Sequence, residues 1–151
     1  MSTSDQIDKD AANVDLASGI SAFESKHFTQ ALHFLTPLAQ HGMADAQYRV
    51  AIMLQNGLGV LRNEQSAAQW MRAAAEQGHA LAQHGLGFMY MEGDCVPRDG
   101  GEAVKWFEKA AAQGLAGSQT TLAVIYEEGN IVDQDLDKAR QWYRAAGFDK
   151  E

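Results

Sequence analysis

Apolar positions recur at three- and four-residue intervals along most of the chain, as expected of helices that bury one face. From about Asp10 the pattern Val14, Leu16, Ile20, Phe23 predicts a first helix. After a short turn, Phe28, Ala31, Leu32, Phe34, Leu35 and Leu38 predict a second. Pro37 falls inside it, where the missing amide and the crowding of the preceding turn predict a kink or a local break. From Ala44 a longer period takes over. A helix carrying Ala46, Val50, Ala51 and Leu54 toward the core returns with Ala82, Leu86, Gly87 and Tyr90, and again with Ser118, Leu122, Ala123 and Tyr126. These first helices (A helices) start at Ala44, Ala80 and Ala116 and stop at Gly57, Gly93 and Gly129, 36 residues apart each time. A glycine just past a helix supplies the left-handed conformation that ends it, and Val60, Val96 and Val132 then anchor the loop.

The second helix of each unit (B helix) has the same period. Asn63, Asp99 and Asp135 are placed to accept from free amides of the first turn, and Asp99 with Glu102 has capping-box spacing. Ala67, Ala103 and Ala139 share one position, and Ala74, Ala110 and Ala146 another, so that helices can approach closely there. Trp70, Trp106 and Trp142 lie 36 residues apart with Phe34 one step earlier, and are read as buried packing residues of the B helices. Gly78 and Gly114 close these helices. A fixed period of this length means stacked supersecondary units, none able to bury its apolar face alone.

Residues 80–93, ALAQHGLGFMYMEG, followed by Ala103, Trp106, Lys109-Ala110-Ala111, Gln113 and Gly114, resemble a Sel-one-like repeat, A-x-A-Q-x-x-L-G-x-x-Y-x-x-G then A-x-x-W-x-x-K-A-A-x-Q-G. The units from Ala44 and Ala116 match in register, so the resemblance covers about residues 44–148. It implies an all-α, right-handed α/α superhelical solenoid of about four helix pairs, related to tetratricopeptide repeats and used for protein–protein interaction. It implies no chemistry. The expected organisation is a disordered lead over residues 1–9 and one repeat domain over 10–148. That domain divides into a tetratricopeptide-like capping unit at 10–43 and Sel-one-like repeats at 44–79, 80–115 and 116–148. The capping assignment rests on a first link about four residues shorter than the later ones. Cysteine-rich secreted relatives carry a cysteine pair per repeat, whereas Cys95 stands alone here, so their setting does not carry over.

The net charge of −8 opposes binding to nucleic acid or to anionic membrane surfaces, and no apolar run is long enough to span a bilayer. A single cysteine excludes an intramolecular disulfide, and the polar, acidic first fifteen residues lack the features of a secretory signal, so a cytoplasmic setting is expected. His79 and His84 are five apart, which does not place two imidazoles on one helix face, and no ligand set completes them, so no metal and no cofactor is expected. His41 and His79, beside the turn glycines Gly42 and Gly78, suit helix-end roles. With no nucleophile elbow or phosphate-cradling loop, the chain is read as a non-enzyme.

The expected function is a scaffold or adaptor that binds a segment of another protein on the concave face formed by its A helices. Counting off the core phase, the candidate lining is Tyr48, Ile52 and Gln55 in the second unit, His84, Phe88 and Met91 in the third, and Thr120, Val124 and Glu127 in the fourth. Asp45, Asn56, Leu81, Glu92, Gly117 and Glu128 complete the lining. Burial against neighbouring helices is the alternative for the large apolar members. Glu127, Glu128, Asp133, Asp135 and Asp137 form the densest acidic group, read either as a seat for a basic peptide end or as a solvated loop and helix N-terminus. The alternative function is a self-assembling unit that forms a homodimer through its last helix pair, around Trp142, Tyr143 and Phe148, unless Phe148 folds back as a plug.

Overall fold

A buried glutamine recurs at the junction between repeats. In the computed structural model, which describes residues 8–148, Gln47, Gln83 and Gln119 lie 36 residues apart and are buried. Their side-chain amides donate to the carbonyls of Ala39 (3.1 Å), Ala75 (3.2 Å) and Ala111 (3.1 Å), each in the last turn of the preceding helix. Gln113 extends this network, donating to Gly78 O at 2.8 Å and to Gln83 Oε1 at 2.9 Å.

The described residues form eight α-helices and no strand: α1 Lys9–Glu24, α2 Phe28–Gln40, α3 Ala44–Asn56, α4 Glu64–Glu76, α5 Ala80–Glu92, α6 Gly100–Ala112, α7 Ala116–Glu128 and α8 Leu136–Ala145. This is the helix-pair architecture of an α/α solenoid. Internal contacts divide the chain into two units, one up to Ala74 and one from Ala75. In the first, α1 packs on α2 and α2 on α3; in the second, α5 packs on α6, α6 on α7 and α7 on α8. Most of the expected disordered lead, residues 1–7, lies outside the described residues, whereas Lys9 already belongs to α1, capped by Asp8.

The predicted caps are made. Asn63, Asp99 and Asp135 accept from the amides of Ser66, Glu102 and Lys138 at 3.0–3.1 Å. The capping box at Asp99 is only half formed, because the amide of Asp99 donates to Tyr90 O, as those of Asn63 and Asp135 donate to Leu54 O and Tyr126 O. The break expected at Pro37 does not occur. The proline sits in the last turn of α2, and its own carbonyl still accepts from His41 N at 3.1 Å.

The core departs from expectation in three places. Val14 is 64% exposed, and α1 instead buries Ala12, Gly19 and Ala22. A Cβ at Gly19 would lie 2.5 Å from Leu35 Cδ2, so small residues set how closely α1 approaches α2. The A helices also bury Met53, Met89 and Ile125, again 36 apart. Of the tryptophans only Trp106 is buried, while Trp70 and Trp142 are half-buried. The next residue, Leu35, Met71, Phe107 or Tyr143, is buried in every B helix. Successive helix residues point about 100° apart, so the bulkier indole flanks the apolar stripe and its smaller neighbour occupies the centre.

Gly59 (φ 70°) has no room for a side chain, since a Cβ would lie 2.8 Å from the Phe28 backbone. Cys95 holds the equivalent position with φ 67°, a left-handed conformation that costs an L-residue on the order of 1 kcal/mol. Replacing Cys95 with glycine is therefore expected to stabilise the protein by roughly 0.5–1 kcal/mol in chemical denaturation; a loss of stability would refute strain at this loop. Gln83→Ala or Gln119→Ala is expected to cost roughly 1–3 kcal/mol, against under about 0.5 for the exposed control Gln69→Ala. Equal costs would remove the glutamine link from the account of the fold.

Candidate partner-binding face

Nine of the positions expected to line a face occupy three equivalent phases of α3, α5 and α7. In the first unit Tyr48, Ile52 and Gln55 are half-buried. Arg49 is anchored to Asp45 at 2.7 Å and lies 5.8 Å from the Phe23 ring centre and 5.9 Å from that of Tyr48. Burial pushes the Tyr48 hydroxyl above its usual pKa of 10.0, with the nearby Arg49 charge opposing the rise and that of Asp45 adding to it.

In the second unit the side chains converge. His84, Phe88 and Phe107 form a three-ring cluster with centroids 4.8, 5.4 and 5.1 Å apart, all edge-to-face. The cluster depends on Gly87, where a Cβ would come within 2.8 Å of the Phe107 ring. Phe107 is wholly buried, whereas Phe88 stays 36% exposed. His84 Nδ1 lies 2.6 Å from the hydroxyl of Ser118, which is fully buried. This 2.6 Å contact is a hydrogen bond between the imidazole of α5 and the serine hydroxyl of α7. Ser118 is too deeply buried to meet a substrate, so the pair joins α5 to α7 and is not a nucleophile and its base.

Beside this cluster an apolar groove of about 530 Å³ runs along α7. Met91, Val124, Ile125 and Ile131 supply its apolar surface, and Gly117, Thr120, Thr121 and Glu128 its polar edge. Five expected residues, Met91, Gly117, Thr120, Val124 and Glu128, thus meet in one place, and the His84 ring lies close to Gly117 at one end. Glu127 does not line it. Its carboxylate hydrogen-bonds the Tyr143 hydroxyl, which burial first and this bond second hold above the usual pKa. Of the rest of the acidic group, Glu128 edges the groove, Asp135 caps α8 and Asp137 lies 2.9 Å from Arg140. Ile125, Thr121 and Ile131 were not among the expected lining. For Ile131 a signal existed, since it places a large apolar residue where the other loops have Gly59 and Cys95.

Among the described residues no group of three His, Cys, Asp or Glu side chains could hold a metal ion, and no helix is long and apolar enough to cross a membrane. His79 caps α5, its Nδ1 accepting from Ala82 N at 3.1 Å. Cys95 is half-buried, with Sγ 3.7 Å from Asp94 Oδ1.

The sequence matches the Sel1 repeat over residues 44–79, 80–115 and 116–147. The chain belongs to the Sel1 repeat family. Solved structures that share its fold include two Sel1-type repeat proteins. One is a protective antigen present in uropathogenic Escherichia coli strains and displaying an SLR fold, with 36% identity and a TM-score of 0.82 over 90% of this chain. The other is a Sel1 repeat protein from Oxalobacter formigenes, with 37% identity and a TM-score of 0.81 over 88% of this chain. The matches span 30% and 53% of those proteins' lengths. No curated protein matches the sequence. Sel1 repeat proteins are generally protein-interaction scaffolds. Within the repeat register, the His84–Ser118 link replaces alanine, the residue at positions 46 and 82, with serine, so it marks one junction only.

Burial holds the His84 pKa below the usual 6.5 by penalising its charged form. On acidification the unfolded chain therefore takes up this proton first. The contribution of neutral His84 is complete above about pH 6.5 and declines as the pH falls toward the lower folded value. Thermal melts from pH 7.5 to 5 should show a steeper acid loss for the native sequence than for His84→Gln. Parallel curves would show that His84 is not linked to stability.

Proposed function

We propose that this Sel1 repeat chain is a protein-interaction scaffold that docks a segment of a partner protein on the α5–α7 face. The observation that carries this reading is the α7 groove. Its apolar surface is assembled from two helices and a loop, with the half-exposed rings of His84 and Phe88 on the adjoining α5. An exposed apolar concavity with a polar edge is the usual form of a protein-binding site. Tyr48, Ile52 and Gln55, at the same phases of α3, are proposed as a second contact set on the first unit.

Self-assembly through the last helix pair has less support. Phe148 turns back onto Tyr143, with ring centres 6.2 Å apart and its amide bonded to Tyr143 O at 2.8 Å. The α8 surface lined by Asp137, Arg140, Gln141 and Arg144 is polar.

Val124 is 36% exposed, so aspartate there is expected to be tolerated by the fold while placing a charge inside any apolar contact. Val124→Asp should weaken a native partner by about ten-fold or more, roughly 1.4 kcal/mol, with an unchanged helical circular dichroism spectrum. Phe88→Ser should do the same to a lesser degree. A folded Val124→Asp variant that keeps every partner at native affinity would end the docking hypothesis.

A further inference from the structure

The chemistry of the groove narrows the segment it can take. Both threonine hydroxyls on its edge are committed to their own helix, Thr120 Oγ1 donating to Ala116 O at 3.0 Å and Thr121 Oγ1 to Gly117 O at 2.7 Å. Their protons are used, so toward a ligand these oxygens act as acceptors. Glu128 adds a carboxylate, and among the described residues no lysine or arginine pairs with it or lines the groove. The side chains around the groove therefore accept hydrogen bonds and carry negative charge, on a chain whose net charge is −8. Such a site favours ligands that donate and are cationic, and disfavours carboxylates by repulsion.

The geometry adds a spacing. Val124 and Glu128 are one turn apart on α7, about 6 Å along the axis. Two residues of extended chain cover about 6.6 Å, so an apolar side chain over Val124 places the side chain two positions along beside Glu128. A volume of about 530 Å³ is comparable to one turn of helix with its side chains, too short for a stable helical ligand but sufficient for a few extended residues.

We propose that the α7 groove recognises an extended peptide segment of a partner protein carrying an apolar residue and, two positions along, a lysine or arginine that pairs with Glu128. This rests on the docking function proposed above and specifies its ligand. The aliphatic residue fills the space between Met91, Val124 and Ile131, and the cation meets the carboxylate at the groove's edge.

The test uses two synthetic peptides of about seven residues, acetylated and amidated, each with one central leucine followed two positions later by lysine in one and glutamate in the other. Each is titrated into the full ¹⁵N-labelled chain at low ionic strength. The lysine peptide is expected to shift the amides of Thr120, Val124 and Glu128 and to bind about ten-fold more tightly than the glutamate peptide, with added salt narrowing the gap. Glu128→Lys should reverse the order; it places a cation in the last turn of α7, where the helix dipole favours one, so the variant is expected to fold. Equal binding of the two peptides, or an unchanged order in Glu128→Lys, overturns the proposed motif. If neither peptide shifts α7 while Val124→Asp still loses a protein partner, the motif fails and the docking function stands. If Val124→Asp keeps every partner, both fail. A concentration-dependent dimer in light scattering that Val124→Asp abolishes would assign the groove to a second copy of the chain and also overturn the proposal.

Discussion

The bond from a buried glutamine amide to the last-turn carbonyl of the preceding helix is the constraint on which the repeat depends. A repeat of this size has no core of its own, so its stability lies in how it meets its neighbours. Apolar contact draws helices together but is non-directional and does not set their register. Gln47, Gln83 and Gln119 supply direction, each tying the first turn of an A helix to the carbonyl of Ala39, Ala75 or Ala111. A buried amide without that partner would carry an unmet desolvation cost, so the link also disfavours other registers.

With the register set, small residues determine how closely the helices pack, and this creates the candidate site. Gly87 lets the Phe107 ring lie against α5, and that ring supports His84 and Phe88. Ser118 holds the His84 imidazole from α7. In the loop after α7, Ile131 packs against Gly100, where a Cβ would lie 2.7 Å away, and lines the groove with Val124 and Met91. Local departures from the repeat therefore shape the candidate face, a glycine beneath a ring at the aromatic cluster and, at the groove, an isoleucine where the other loops have glycine or cysteine.

The periodic part of the fold was legible because it rests on local rules. The three caps, the terminal glycines and the alternation of A and B helices recur at one spacing, and each has a cause within a few residues. The reading of Trp70 and Trp142 as buried went too far, because periodicity identifies the packed stripe of a helix but not which member lies at its centre. Glu127 and Glu128 show the same limit within the site. They are adjacent in sequence, yet one bonds Tyr143 and the other edges the groove, since neighbouring helix residues point in different directions.

By itself the sequence determined the repeat length, the helices, their caps and the all-α class, because these follow from short-range hydrogen bonding and from apolar spacing along one chain. The tertiary structure alone decided the bonding partner of each periodic glutamine, the assembly of the His84–Phe88–Phe107 cluster and the position of the apolar groove. Those features join residues that are often 20 or more positions apart, such as His84 and Ser118 with a separation of 34. Their meeting depends on how closely packed helices approach, which no local pattern encodes.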